Sequence, residues 1–244
     1  MPSLPLIEIN PDPLVRIEQI ADGHVAVIVD DFLKNPHDIV EFATSNEDAF
    51  YTPRVGYPGL VLDVNADRMS NIYRFIRSRM SQQFSFFKGG IKFAPILSMV
   101  TLRPDELANL QRLCHTDPRQ RMGRQNYAWI VYLFENEALG GTGFYEWKER
   151  ELIEQATVIE AEDPAKALAF LKEHFATFRQ PACYITESNE IAERISEFPA
   201  RFNRMLFYSG DVPHSPQIAS PELLSNDFSK GRLTLVCFAS VRPR

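Results

Sequence analysis

Five runs of β-branched and aromatic residues, each closed by turn residues, set the architecture of this chain. They are IKFAPILSMVTL (91–102), YAWIVYLF (127–134), GTGFYEW (141–147), NRMLFYSG (203–210) and GRLTLVCFASV (231–241). Such runs predict strands, with Gly140-Gly141 and Gly210-Asp211 as turns between them. An earlier run, HVAVIVDDF (24–32), predicts one more buried strand. Helical signals are fewer. In KNPHDIVEFATS (34–45), Asn35 suits an N-cap, Pro36 suits the first helical position, and Ile39, Phe42 and Ala43 form an apolar stripe. From Ala66 to Phe84, Met69, Tyr73, Ile76, Met80 and Phe84 recur at helical spacing. A third helix is expected over 163–178, capped by Asp163, opened by Pro164 and lined by Leu168, Leu171, Phe175 and Phe178. VGYPGLVLDV (55–64) is punctuated by Gly and Pro and reads as loop. Two helices and then mostly strands is not the alternation of a parallel α/β fold. The order predicts a mainly β (α+β) protein, an antiparallel sandwich or barrel with helices on one side.

At 244 residues the chain fits a single domain, and 18 Phe and 8 Tyr supply bulk for a large core. The net charge of -6 argues against a nucleic-acid surface. That charge is local: residues 146–200 hold 12 acids against 6 bases. They read as an acidic, partly helical insertion, a solvated excursion in the plainest interpretation. Cys114, Cys183 and Cys237 are odd in number and widely spaced, as expected of reduced thiols in a cytoplasmic protein. No stretch reads as a signal peptide or a membrane span.

The stretch LCHTDPRQ (113–120) carries the first chemistry. On extended backbone His115 and Asp117 share a face, so an imidazole and a carboxylate converge. It reads equally as a polar turn unless the chain supplies a third partner. Of five histidines, His24 falls in a strand signal and His37 and His174 on helices. His214 stands apart, between two prolines in YSGDVPHSP, where the backbone has few conformations. Taken alone it also suits a surface loop. Two histidines and one carboxylate match the facial triad of non-haem Fe(II) oxygenases, which leaves positions free for a chelating co-substrate and oxygen. Arg232 and Thr234 share a face at the start of an apolar strand, where an arginine is costly without an anion. A guanidinium fork and a hydroxyl suit a carboxylate.

His115-x-Asp117, His214 and Arg232-x-Thr234, in that order, resemble the motif of the 2-oxoglutarate- and Fe(II)-dependent dioxygenases, with the prolyl-hydroxylase-like branch most similar. GGTGFYEW (140–147), GDVPHS (210–215) and VIVDDFLKNP (27–36) resemble further segments of that branch, so the similarity runs from Val27 to Val241. It implies a double-stranded β-helix, a jelly-roll or cupin-like core, with supporting helices on one sheet. Residues 21–90 would give the N-terminal strand and helices, 91–145 and 201–241 the core, and 146–200 the insertion. It further implies that His115, Asp117 and His214 bind Fe(II), and that Arg232, assisted by Thr234 and by Tyr132 or Tyr127, binds 2-oxoglutarate. O2 would be the oxidant and succinate and CO2 the products. Asp117 is the carboxylate that related halogenases lack, so hydroxylation of an unactivated C–H bond in a small molecule or peptide is expected. The long insertion, and Arg232 where collagen-type relatives use lysine, point away from collagen-like prolines. The insertion is expected to serve as a lid or a homodimer contact, and Arg119, Arg121 and Arg124 to form a solvated loop or hold an acidic substrate. A zinc-dependent hydrolase using the same triad and a non-catalytic binding protein on the same scaffold are the rival readings.

Overall fold

The computed structural model describes residues 4–53, 56–80, 92–117 and 125–241. The chain opens with a hairpin of β1 (Leu14–Ala21) and β2 (His24–Asp30). It turns at Asp22-Gly23, where Gly23 takes a φ of 77° that side chains resist. α1 (Pro36–Ser45), β3 (Gly59–Asp63), α2 (Ser70–Met80) and β4 (Lys92–Val100) follow. Next come β5 (Gln125–Tyr132), β6 (Thr142–Trp147), α3 (Arg150–Glu162) and α4 (Pro164–His174). β7 (Ala192–Phe198), β8 (Met205–Ser209), β9 (His214–Pro216) and β10 (Arg232–Val241) complete the chain.

The strands form two antiparallel sheets. The larger has the order β1-β2-β8-β5-β10-β4-β3 and the smaller β7-β6-β9. A bridge from His115 to His214 adds the 115–117 segment beside β9. The pairings are nested. β4 pairs with β10, His115 with β9, β5 with β8, and β6 with β7. First meets last and second meets second-last, as in one long hairpin wound around itself. That is a double-stranded β-helix, so the expected mainly β jelly-roll core is present.

Period-two alternation divides β5 between two cores. Tyr127, Trp129 and Val131 point to one side of the large sheet, onto Ile39 and Ala43 of α1 and Ile72 and Ile76 of α2. Ala128 and Tyr132 point to the other, between the sheets, with Phe144, Phe198 and Tyr208. The helices therefore back one sheet, as expected. Trp129, Phe207 and Phe144 are essentially sealed from water, and burying such a side chain contributes about 1.5–3 kcal/mol. At one rim, Asp30 of β2 is clamped by Arg204, with Nη2 3.1 Å from the carboxylate. Asn203, at φ 60°, exchanges two 2.8 Å hydrogen bonds with the backbone of Leu33.

Several local expectations are corrected. The 55–64 loop contains β3, which adds to β4 through a register including Val61 opposite Ser98. Gly59 is needed there because a Cβ would lie 2.0 Å from the Met99 carbonyl. β1 went unforeseen because it is an edge strand whose Arg16 and Glu18 interrupt the apolar pattern. Asn35 holds the N-cap position of α1 as expected but makes no capping bond; its amide instead ties down the preceding chain at Leu6 and Glu8. Asp163 does cap α4, accepting from Ala165 and Lys166. The insertion holds α3 as well as α4, and its last stretch is β7, a full partner of β6. Its apolar face packs within the chain: Ile153, Leu171, Phe175 and Phe178 enclose Leu113. Residues 81–84 of the second expected helix and the loop with Arg119, Arg121 and Arg124 lie outside the described residues. No helix among the described residues is long and apolar enough to cross a membrane.

Candidate metal centre and its surroundings

The nested pairing brings His115 and His214 together across 98 intervening residues. Their backbones exchange hydrogen bonds of 2.9 and 2.8 Å, and their rings lie 4.6 Å apart. Asp117 follows two positions on, its backbone N–H 2.8 Å from the Gly210 carbonyl. Its carboxylate comes within 3.7 Å of Nε2 of His214. One ligand atom from each of His115, Asp117 and His214 lies within 4.8 Å of the others. Gly210 makes the approach fit, since a Cβ there would stand 2.3 Å from Oδ2 of Asp117.

The electrostatics favour a cation. Nδ1 of His214 is 2.9 Å from the Val212 carbonyl, which fixes the tautomer and turns the Nε2 lone pair inward. Burial pushes the His214 pKa down to about 4, against that hydrogen bond. His115 is likewise lowered to about 4, by its dense surroundings and by His214, with Asp117 opposing. The residue as a whole is exposed, so water offsets part of that cost. Asp117 is raised to about 6 by burial, with His115 lowering and Asp211 raising it further. Oδ2 of Asp117 is buried without a hydrogen-bond partner. Two neutral imidazoles and an unpaired buried carboxylate form a donor set that a divalent cation satisfies. The four ligands of a closed structural zinc site are not assembled among the described residues.

Arg232 is 4% exposed, at the start of β10. Its guanidinium donates to the carbonyls of Leu139, Gly140 and Gly141 at 2.9–3.1 Å and sits 5.6 Å from the Phe134 ring. The Gly-Gly turn is obligatory. Gly140 has φ 84° and its Cβ would meet the Gln217 carbonyl at 1.8 Å; that of Gly141 would meet the Phe198 carbonyl at 2.0 Å. Carbonyls hold the fork but leave its charge uncompensated, and no carboxylate pairs with Arg232 among the described residues. Tyr208 links the two ends of the site. Its ring is 4.8 Å from that of His214, and its buried hydroxyl feels both Asp117 and Arg232.

The other expected residues divide. Thr234 lies in the inter-sheet layer, 2.8 Å from the Ser98 hydroxyl. Tyr132 is there too, hydrogen-bonded to Thr142 at 2.7 Å. Tyr127 is a correction: it stacks on Phe207 on the helix side of β5, so the sheet separates it from Arg232. The sequence reading missed Tyr57, whose hydroxyl is buried and without a hydrogen-bond partner. Burial raises its pKa; Arg232, Ser98 and Thr234 are near enough to oppose that, though neither hydroxyl is at hydrogen-bond distance. It sits in the segment read as a loop, which carried no signal of its own. Ser98 had one, since it lies in a strand signal, but its partner is 136 residues away.

These features define a class: a double-stranded β-helix with a two-histidine, one-carboxylate triad at one end of its inter-sheet space and a buried arginine at the other. The chain belongs to DUF6445, a family of unknown function, whose model matches residues 11–239. No curated protein matches the sequence. Among solved structures it is similar to EvdO2 from Micromonospora carbonacea var. aurantiaca complexed with 2-oxoglutarate, with 11% identity, a TM-score of 0.42 and 95% of each chain covered. A second structure of EvdO2 gives 10% identity and 0.41 with the same coverage. The Kdo hydroxylase KdoO, a non-heme Fe(II) alphaketoglutarate dependent dioxygenase in complex with succinate and Fe(III), gives 10% identity and 0.35, over 72% of this chain and 61% of that one. At such identities and scores nothing about activity transfers, and the site is read from its own residues.

Proposed function

We propose that this protein is a non-haem Fe(II)- and 2-oxoglutarate-dependent oxygenase that hydroxylates an unactivated C–H bond of a small molecule or peptide, releasing succinate and CO2. The observation that carries the reading is a pair of opposite charges in one inter-sheet space: Asp117 beside two neutral imidazoles, and Arg232, which among the described residues has carbonyls and the Phe134 ring as partners and no carboxylate. A cation at the first and a carboxylate at the second satisfy both. A dicarboxylic 2-oxo acid does this in one molecule, chelating at one end and anchored at the other.

His115, Asp117 and His214 would hold the metal. Bound Fe(II), with 2-oxoglutarate as reductant, would activate O2, which is the oxidant of the reaction. The protein's part is placement. Arg232 receives the far carboxylate, Thr234 and Tyr57 offer hydroxyls beside it, and Tyr132 braces the pocket through Thr142. Phe144 and Tyr208 pack against the His214 ring and exclude water. Asp117 occupies the position a chloride would need, which favours hydroxylation over halogenation. The same motifs favour the prolyl-hydroxylase-like branch. A zinc hydrolase needs the triad but has no use for Arg232.

Purified protein supplied with Fe(II), ascorbate and 2-oxoglutarate should release succinate. His115→Ala should abolish both iron retention and succinate release, and Arg232→Ala should raise the 2-oxoglutarate requirement while leaving iron bound. A His115→Ala protein that consumes 2-oxoglutarate at the wild-type rate refutes the reading.

A further inference from the structure

Two buried polar atoms near the triad lack partners, one an acceptor and one a donor. The acceptor is Oδ2 of Asp117; the donor is Nδ2 of Asn126, a residue 4% exposed. Burying an amide N–H without a hydrogen bond costs about 1–3 kcal/mol, so such a group is retained where something uses it. Asn126 lies on the inner face of β5, in alternation with Ala128 and Tyr132, which belong to the inter-sheet core.

Gly210 connects the two orphans. Its N–H donates to the Asn126 carbonyl at 3.0 Å, and its carbonyl accepts from the Asp117 N–H at 2.8 Å. The direction a Cβ would take from Gly210 leads to Oδ2 of Asp117, 2.3 Å away. Across an antiparallel pair, opposed Cβ positions stand about 4.5–5.5 Å apart. Asn126 and Gly210 continue the register of Tyr127 opposite Ser209, so the Asn126 side chain leaves β5 on the face where the carboxylate lies.

We propose that Asn126 is a positioning residue of the metal centre: its Nδ2 donates to Oδ2 of Asp117 when Oδ1 is drawn onto the cation. The donor fixes the carboxylate as a one-oxygen ligand. A carboxylate free to bind through both oxygens would take a further coordination position, one that a chelating acid needs. Hydrogen-bonding partners of this kind typically change metal affinity by about 10–100-fold. The inference requires only that the triad binds a divalent cation, and it stands whether or not the oxygenase reading does.

The test is titration of the full-length protein with Co(II), read by its visible absorption, alongside thermal unfolding of the metal-free form. Asn126→Leu keeps the shape and removes the donor. Its metal-free form should be at least as stable as the wild type, because the buried Nδ2 has no hydrogen bond to lose. Its Co(II) affinity should fall about tenfold or more, with an altered spectrum as the carboxylate changes its mode of binding. Asn126→Ala guards against a local packing defect and should show the same loss. Wild-type affinity and spectrum in both variants overturn the proposal. So does a loss in Tyr208→Phe with none in Asn126→Leu, which would give the donor's role to the Tyr208 hydroxyl.

Discussion

At the scale of single residues, the site depends as much on atoms that are absent as on those present. Gly210 has no Cβ, and Asp117 occupies the space. Gly210→Ala should displace the carboxylate and weaken metal binding about tenfold or more, with a smaller effect on folding; a metal titration against thermal unfolding separates the two. Asn203 works in the opposite sense, through atoms it has. Asn203→Ala removes both bonds to Leu33 and leaves a non-glycine residue at φ 60°, so it should cost about 2–3 kcal/mol in urea unfolding without altering metal affinity. The triad and Arg232-x-Thr234 were legible at this scale because their chemistry is rare on apolar strands. Tyr57 and Asn126 were not. An asparagine or tyrosine carries no signal until the fold shows that its polar atom is buried without a partner.

At the scale of elements, the acidic insertion is better described as a buttress than as a lid. Leu113 is enclosed by Ile153, Leu171, Phe175 and Phe178, and Cys114 by Tyr145, Ile185 and Ala192. The two residues before His115 are thus held by the insertion. Leu171→Ala should cost about 2–5 kcal/mol and, where the protein still folds, should also weaken metal binding. Unchanged metal affinity in a folded Leu171→Ala protein would detach α4 from the site. Strands with continuous apolar runs, such as β2, β5 and β10, were readable from sequence. β1, β3 and β7 were not, because each is an edge strand with charged or turn-forming residues and draws its stability from one neighbour. α3 escaped notice for a related reason: only Ile153 and Ala156 of its residues are buried, a stripe too thin to show as periodicity.

At the scale of the whole molecule, the electrostatic clamp on Asp30 ties the N-terminal hairpin to the core. Burial alone would raise the pKa of this carboxyl, but the Arg204 hydrogen bond and the charges of Arg204, Arg16 and Arg201 hold it below its ordinary 3.8. A carboxyl with a lowered folded pKa stabilises the fold above its unfolded value and loses that contribution as pH falls through the folded one. The stability gap between wild type and Asp30→Asn should therefore be full at neutral pH and close below 3.8, as denaturant midpoints across that range would show. The side chain is 1% exposed, yet Arg16 and Arg201 are 40% and 52% exposed, so salt should narrow the gap at neutral pH.

The nested pairing also sets an order of events in the life of the chain. Thr234 and Ser98, which help close the β-helix, are 136 positions apart, and contacts of such long range form slowly. The two imidazoles belong to opposite arms of the hairpin and meet only after both arms have been synthesised and wound together. Binding of a metal by all three ligands would therefore have to follow that pairing. Until then the fold would rest on its cores alone, and a fragment ending ahead of β9 would lack one of the three ligands.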